Sequence, residues 1–250
     1  MSIRPGLCSV TFRQLDPAAI AALAADAGLQ AIEWGGDVHV PPGDVARAAE
    51  VARLTAGAGL AVASYGSYFR AEAGEDVAPV LDAAEALGAD RIRVWAGRIG
   101  SADATGRERA ATIDALAAAA EQAGARGISL ALEFHGRTLA DDAEQTLRVL
   151  DEVGSPHLST YWQPTVAATD DVAVAEYRRI ADRVSAVHVF SWWPSTERLA
   201  LGARDGLWRA FAEAAERAPL PPRDALLEFV PGDDPSSLAA EAATLRGYLG

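Results

Sequence analysis

The chain lacks several features that would assign it to a class of protein. Its 250 residues include one cysteine, Cys8, so it can form neither an internal disulfide nor a zinc site built from cysteines. No apolar run reaches the roughly 20 residues that span a bilayer, and residues 1–6 lack the charged-then-apolar order of a secretory signal. We therefore predict a cytoplasmic protein with no membrane partner.

Positive charge is also scarce. Lysine and asparagine are absent, and 22 arginines stand against 35 acidic side chains, which gives a net charge of −13. Proteins that bind nucleic acid draw most of their affinity from contacts between basic side chains and phosphates. Because the sequence has no basic run, we expect no nucleic-acid partner, and a small molecule is the expected ligand.

One unit repeats eight times along the chain: a β-rich run, a polar turn and an alanine-rich segment with helical periodicity that ends near glycine. The predicted strands begin near Leu7, Ala31, Ala61, Arg91, Ser129, Leu158, Val184 and Ala225. The predicted helices are Pro17–Ala27, Asp44–Ala56, Val77–Leu87, Arg107–Gln122, Asp142–Glu152, Val172–Asp182, Leu207–Arg217 and Pro235–Leu249.

Strands that alternate with helices over a whole chain predict a parallel sheet, because parallel neighbours need a crossover connection. Eight units in 250 residues match the size of a closed (β/α)₈ TIM barrel of the α/β class. An open doubly wound sheet is the alternative, but no GxGxxG phosphate loop follows the first strand, so we favour the barrel. Since no linker or low-complexity tract divides the chain, we predict a single domain over residues 1–250.

Polar side chains stand at the ends of the later predicted strands, each between apolar neighbours. In barrels of this kind the chemistry lies at the C-terminal ends of the strands. If the strand faces point inward, four consecutive strands aim four side chains at one centre. These are Glu133, Gln163, His188 and Glu228. Two carboxylates, an imidazole and an amide oxygen predict a site for a divalent cation, Mn²⁺ first and Mg²⁺ or Co²⁺ as alternatives.

Each of these residues also has an ordinary structural interpretation. A glutamate at a strand end often pairs with an arginine, and a single histidine in an apolar strand is often a satisfied core residue. The four side chains are expected at the same depth on neighbouring strands, and this favours a common metal site over four separate structural roles. Arg93 lies inside the apolar strand around residues 92–94, and arginine is rarely buried without a partner. We predict Glu33 as that partner.

Aromatic side chains cluster near the same strand ends and predict a pocket with aromatic walls. Stacking on a sugar or cyclitol face and simple packing at the top of the barrel both fit this pattern. The predicted substrate-binding residues are Trp34, Tyr65, Trp95, Trp162, Trp192 and Arg198. Arg198 and Arg204 are the arginines best placed for a phosphate, so we expect a bulky or partly apolar substrate with no strict phosphate requirement.

The segments around these residues resemble a known family. They are Leu132–Gly136, Tyr161–Pro164, Val187–Phe190 and Leu226–Phe229, and they resemble the xylose-isomerase-like TIM barrels of the sugar phosphate isomerase/epimerase family. The resemblance extends over essentially the whole chain. It implies a metal-dependent isomerase or epimerase of a sugar, ketose or cyclitol, although the scaffold also carries dehydratases and an endonuclease.

The resemblance implies roles for individual residues. Ketose epimerases of this kind hold the metal with glutamate, aspartate, histidine and glutamate, and the two glutamates move the proton through an enediolate. Carried over, Glu133 and Glu228 are ligands and acid/base residues, His188 is a ligand, and His135 acts as an acid or orients Glu133. Gln163 stands where aspartate is expected. Its amide oxygen can still coordinate, but the missing negative charge predicts weaker metal binding.

Other functions remain open at this stage. A lyase or dehydratase would expel a β-substituent from the same enediolate, and a sugar-binding barrel would use the same pocket without catalysis. An endonuclease is disfavoured because its additional histidine and aspartate ligands are absent from the second and third strands, and because the chain is acidic. The resemblance also leaves a homodimer open.

Overall fold

In the computed structural model, which describes residues 3–250, eight parallel strands close into a barrel with helices between them. The barrel strands are β1 (Arg4–Cys8), β2 (Ala31–Gly35), β3 (Ala61–Gly66), β4 (Arg91–Val94), β5 (Ser129–Leu132), β6 (Leu158–Trp162), β7 (Val184–Val189) and, after the short antiparallel pair β8 (Ser191–Trp192) and β9 (Arg198–Leu199), β10 (Asp224–Leu227). Around the barrel their order is β1, β10, β7, β6, β5, β4, β3, β2. The predicted (β/α)₈ barrel is confirmed.

The helices lie outside the barrel, between successive strands. They are α1 (Pro17–Asp26), α2 (Val45–Gly57), α3 (Ala78–Leu87), α4 (Gly106–Ala125), α5 (Ala143–Val153), α6 (Asp170–Ile180), α7 (Asp205–Glu216) and α8 (Leu238–Leu249). Every predicted helix is found, with ends that differ by up to three residues. Within residues 3–250, none is both long enough and apolar enough to cross a membrane.

Local sequence signals set where the helices begin and end. The Asp16 side chain accepts a hydrogen bond from the Ala19 amide at 2.8 Å, and Pro17 takes the first helical position of α1. At the other end of a helix, Gly88 closes α3 and Gly154 closes α5, both in the left-handed conformation with φ of 75° and 62°. Glycine reaches that conformation without steric cost, so these positions stop the helices.

The barrel interior is arranged in layers, and the middle layer is apolar. Its buried members are Ala31, Ala63, Ala131, Tyr161, Ala186 and Leu226, which pack in one cluster with Cys8 and Val10 at the end of β1 and beyond it. Alanine at four of these positions leaves space for longer side chains from the layers above and below. The Tyr161 ring lies between those layers, 5.0 Å from the His188 ring and 5.1 Å from the Arg91 guanidinium carbon.

A buried ion pair fills the layer at the N-terminal ends of the strands. Asp224 of β10 accepts from Arg91 Nη2 at 2.5 Å and from Arg4 Nε at 2.6 Å, and Asp224 is fully buried. Arg91 also donates to the Ser185 carbonyl at 2.7 Å. These contacts join β1, β4, β7 and β10 at the end of the barrel opposite the predicted site.

We expect the substitution Asp224→Asn to lower the free energy of unfolding by about 3–5 kcal/mol, because Arg91 would remain buried without its counter-charge. Urea denaturation followed by circular dichroism measures this. Asp90→Asn is the matched control: Asp90 pairs with Arg223 at the surface, where such pairs contribute at most about 1 kcal/mol. Equal losses in the two variants would contradict the expectation.

Candidate functional site

Each barrel strand, or the residue that directly follows it, contributes one polar or ionisable side chain to the layer at the C-terminal ends. This layer, which we call the catalytic layer for the role that we propose for it, consists of Cys8, Glu33, Ser64, Arg93, Glu133, Gln163, His188 and Glu228, all of them buried. Strand alternation explains the arrangement. Glu133, for example, comes two residues after the inward-facing Ala131, and Glu228 comes two residues after Leu226.

Arg93 lies between two glutamates of this layer. Its Nε donates to Glu33 Oε1 at 3.0 Å, and its Nη1 pairs with Glu133 Oε2. The predicted pairing with Glu33 is therefore found, and Glu133 is a second partner that the sequence did not predict. Burial by itself would raise the pKa of Glu33, but Arg93 and His188 hold it well below its ordinary value. A Cβ at Gly66 would lie 2.9 Å from Glu33 Oε1, so only glycine leaves room for this pair.

His188 joins the remaining predicted residues. Its Nδ1 lies 3.0 Å from Gln163 Oε1 and 3.4 Å from Glu228 Oε2, and its Nε2 lies 3.3 Å from Glu33 Oε1. Burial disfavours the charged imidazole, but Glu228 and Glu33 outweigh it and raise the pKa of His188. Burial also raises the pKa of Glu228, against the attraction of His188. Gln163, His188 and Glu228 are thus brought together as predicted.

Glu133, the fourth predicted metal ligand, lies in the same layer, with one carboxylate oxygen bound by Arg93. Within residues 3–250, a different group of three potential ligands, Cys8, Glu33 and His188, has donor atoms within 4.8 Å of one another. Burial and the surrounding carboxylates raise the pKa of the Cys8 thiol. The Glu33 oxygens also accept hydrogen bonds from Arg93 and Ser64, just as Glu133 is paired with Arg93.

A cavity of about 530 Å³ opens above the catalytic layer, within the size range of small-molecule sites. Glu133, Gln163 and Glu228 lie at its base. His135 also lines it, and its Nδ1 lies 2.7 Å from the Gly136 carbonyl oxygen. A carbonyl only accepts, so Nδ1 carries the proton in the neutral ring and Nε2 is the unprotonated nitrogen.

Three of the predicted substrate-binding residues do not line this cavity, and those predictions are wrong. They are Trp34, Tyr65 and Trp162. The indole of Trp34 donates to Thr55 of α2 at 2.9 Å, and Trp162 stacks on Phe211 of α7 with ring centroids 5.5 Å apart. The reason is the alternation itself: since Glu33 and Gln163 point inward, their immediate neighbours must point outward.

Of the other three predicted substrate-binding residues, two line the cavity and one does not. Trp95 and Trp192 line the cavity, and Trp95 packs against His135 with centroids 4.5 Å apart. Arg198 is not part of the lining: it pairs with Asp233, and its guanidinium stacks over Phe229 at 4.2 Å. Arg204 pairs with Asp170 at 2.7 Å. Both arginines considered for a phosphate are therefore engaged with carboxylates.

Sequence reasoning missed other cavity and layer residues. Cys8 and Ser64 belong to the catalytic layer, and Asp141 and Arg13 line the cavity. The alternation of β1 would have found Cys8, which shares the inward-facing parity of that strand. Ser64 directly follows the inward-facing Ala63, where the register between β2 and β3 shifts, so strict alternation does not predict it. Asp141 and Arg13 lie outside the strands, where no periodicity points to them.

Comparison with known proteins identifies related sequences and folds. The xylose isomerase-like TIM barrel family model matches residues 21–243. No curated protein matches the chain in sequence. Among solved structures, a probable 3-DHS dehydratase, AsbF, involved in petrobactin synthesis in Bacillus anthracis, is similar with 18% identity and a TM-score of 0.81 over 98% of this chain and 99% of the other.

Two epimerases are also similar. The 3-keto-D-glucoside 4-epimerase YcjR of E. coli has 16% identity and a TM-score of 0.76, over 98% of this chain and 99% of the other. The D-allulose 3-epimerase of Methylomonas sp. has 19% identity and a TM-score of 0.72, over 99% of this chain and 98% of the other. Likeness at these identities shows that the fold is shared.

The position of Arg93 leads to a stability prediction. We expect Arg93→Met to lower the free energy of unfolding by about 3–5 kcal/mol, because Glu33 and Glu133 would face each other without a counter-charge. Adding Glu33→Gln to that variant removes one of the two carboxylates and should recover part of the loss in urea denaturation. The control is Arg98→Met, which breaks an exposed pair with Glu72. A fully stable Arg93→Met variant would refute this account of the layer.

Proposed function

We propose that this chain, which belongs to the xylose isomerase-like TIM barrel family, is an enzyme that isomerises or epimerises a sugar, ketose or cyclitol through an enediolate. The observation that carries the proposal is a pair of carboxylates at the base of one cavity, Glu133 and Glu228, in different surroundings. Glu133 is bound by Arg93, whereas burial raises the pKa of Glu228 and favours its protonated form. Two carboxyl groups with such different partners can serve as one base and one acid.

The similar structures support sugar chemistry on this fold. One is named as a 3-keto-D-glucoside 4-epimerase and another as a D-allulose 3-epimerase. Both names describe a stereochemical change in a carbohydrate. That chemistry needs the removal and return of a proton at carbon, which is the task that two carboxyl groups in one cavity can perform.

In the proposed reaction, Glu133 accepts a proton from the carbon next to the substrate carbonyl. Its ion pair with Arg93 fixes the direction of the carboxylate. Glu228 then supplies a proton to the opposite face of the enediolate, which inverts that carbon. His135, with Nε2 unprotonated, accepts a hydrogen bond from a substrate hydroxyl and so orients the sugar.

The charges of the catalytic layer fit a divalent cation. A cation bound by Glu228 and His188 would require the ionised carboxylate and the neutral imidazole. In that state Glu33, Glu133 and Glu228 bring three negative charges against the single positive charge of Arg93, an excess of two. Buried charge without compensation is costly, and one dication would balance it. Glu133, Gln163, His188 and Glu228 would hold Mn²⁺, Mg²⁺ or Co²⁺. Such an ion supplies Lewis-acid polarisation of the substrate carbonyl.

A dehydratase or lyase is the second candidate. The similarity to the probable 3-DHS dehydratase has a TM-score of 0.81, the highest of the three comparisons described above. In that reaction the same enediolate would lose a β-hydroxyl, and His135 in its protonated form would donate to the departing oxygen. Products in D₂O separate the candidates: deuterium in an unchanged carbon skeleton indicates isomerisation, and loss of a hydroxyl indicates dehydration.

We expect the protein, with Mn²⁺ added, to exchange one carbon-bound hydrogen of a ketose or inosose for solvent deuterium, measured by proton NMR. Glu133→Gln and Glu228→Gln should each slow this exchange by roughly 100-fold or more, since each removes a proton-transfer group. Glu216→Gln, an exposed change at the end of α7, should leave the rate unaltered. Variants of Glu133 and Glu228 as fast as wild type would overturn the proposal, and a wild-type protein that binds sugars without exchange would favour a binding protein.

Metal binding gives a separate test. We expect Gln163→Asp to tighten Mn²⁺ binding by roughly tenfold or more, because it restores a negative charge next to the proposed ligands. Isothermal titration calorimetry at fixed pH measures the dissociation constant. Gln122→Asp adds the same charge on the exposed side of α4 and should change nothing. If neither wild type nor Gln163→Asp binds Mn²⁺, the layer does not take a cation.

A further inference from the structure

The cavity has two chemically different parts. Its base presents the hydrogen-bonding side chains Glu133, Gln163 and Glu228, and part of its side is formed by the rings of Phe190, Trp192 and Phe229. We call these three rings the aromatic wall. A sugar pays a desolvation penalty wherever its hydroxyls meet no hydrogen-bonding partner. Hydroxyl-rich groups therefore suit the base, and the wall suits a group without hydroxyls.

The rings of the wall are in mutual contact. Trp192 lies between Phe190 and Phe229, with centroid separations of 4.9 Å and 5.2 Å and interplanar angles of 44° and 34°. The Arg198 guanidinium stacks over Phe229 at 4.2 Å and is held by Asp233. Adjacent tilted rings that are held by neighbouring side chains form a preorganised surface on which a further aromatic ring can pack.

Phe229 is held in place by an unusual backbone conformation. Its φ is 60°, in the left-handed region that a bulky side chain rarely adopts, and its amide donates to Thr11 Oγ1 at 3.1 Å. Phe229 directly follows Glu228, so the strained turn places a ring next to the proposed acid. Strain of this kind persists where the surrounding structure enforces it, and it concentrates at ligand sites.

The cavity is also larger than a free hexose requires. A hexose has about twelve non-hydrogen atoms, and at roughly the 30 Å³ that a water molecule occupies in the liquid each, it would fill at most about 360 Å³. The cavity measures about 530 Å³. The remaining space is enough for a second, smaller ring.

We propose that the substrate is a keto-sugar that carries an aromatic aglycone, with the sugar ring on the polar base and the aryl group on the aromatic wall. Since the anomeric carbon of such a glycoside is an acetal, the carbonyl that the enediolate requires is on another carbon of the sugar ring. This inference rests on the proposed function for the reacting sugar, and it adds the class of substituent. The wall makes its contribution through ring contact with Trp192 and Phe229. Recognition of the aryl group is thereby separate from proton transfer at Glu133 and Glu228.

The test compares two probes that differ in the aglycone, phenyl β-D-glucoside and methyl β-D-glucoside, by isothermal titration calorimetry. Wild-type protein is expected to bind the phenyl glucoside at least tenfold more tightly. Trp192→Leu and Phe229→Gly should each reduce this preference to less than threefold. Glycine adopts a φ of 60° without strain, so Phe229→Gly removes the ring at low risk to folding, and circular dichroism checks both variants.

Trp193→Leu is the matched control, because Trp193 is 38% exposed and is not part of the cavity lining. It should keep the full phenyl preference. Equal binding of the two glucosides by wild type, binding of neither, or a preference that survives both wall variants would overturn the inference. If ketoses exchange deuterium but the phenyl glucoside is not preferred, only the proposed role of the aromatic wall is refuted. If the phenyl glucoside is preferred but no sugar exchanges deuterium, the proposed reaction is refuted and the role of the aromatic wall is supported.

Discussion

The contact on which the catalytic layer depends is the guanidinium of Arg93 between the carboxylates of Glu33 and Glu133. Two carboxylates side by side would repel each other, and with exposures of 2% and 4% Glu33 and Glu133 have little access to solvent. The arginine removes that repulsion and fixes the direction of both side chains. Among the described residues 3–250, Glu228 has no arginine as a hydrogen-bond or ion-pair partner and lies against His188 instead. The difference between the two glutamates at the cavity base thus originates in one side chain of β4.

Much of the fold and half of the site could be predicted from periodicity. The alternation of strands and helices gives all eight barrel strands, and the two-residue period within strands identifies Gln163, His188 and Glu228 as neighbours. The Arg93–Glu33 pair follows from the cost of burying an unpaired arginine. The second contact of Arg93 could not be predicted, because the distance between side chains across the barrel depends on the tilt and stagger of the strands, which a single sequence does not specify.

The errors have an equally physical origin. Trp34, Tyr65 and Trp162 were placed in the pocket because they are near strand ends along the chain, although the alternation that turns Glu33 and Gln163 inward turns their neighbours toward the helices. Trp192 lines the cavity as expected, although it lies outside the barrel strands, on the β8–β9 hairpin. Phe229 also lies outside them, and its conformation depends on a contact with Thr11 at the other end of the chain. No local pattern predicts a contact of that range.

The Tyr161 ring, which lies among alanines in the middle of the barrel, affects which substitutions the protein can tolerate. The ring contacts Arg91 on one side and His188 on the other. A single apolar layer therefore separates the ionic network at the N-terminal ends of the strands from the network that faces the cavity. Substitutions in the network at the N-terminal ends can change thermal stability while the network at the C-terminal ends keeps its chemistry. Selection can therefore act separately on the stability of the barrel and on its reactivity.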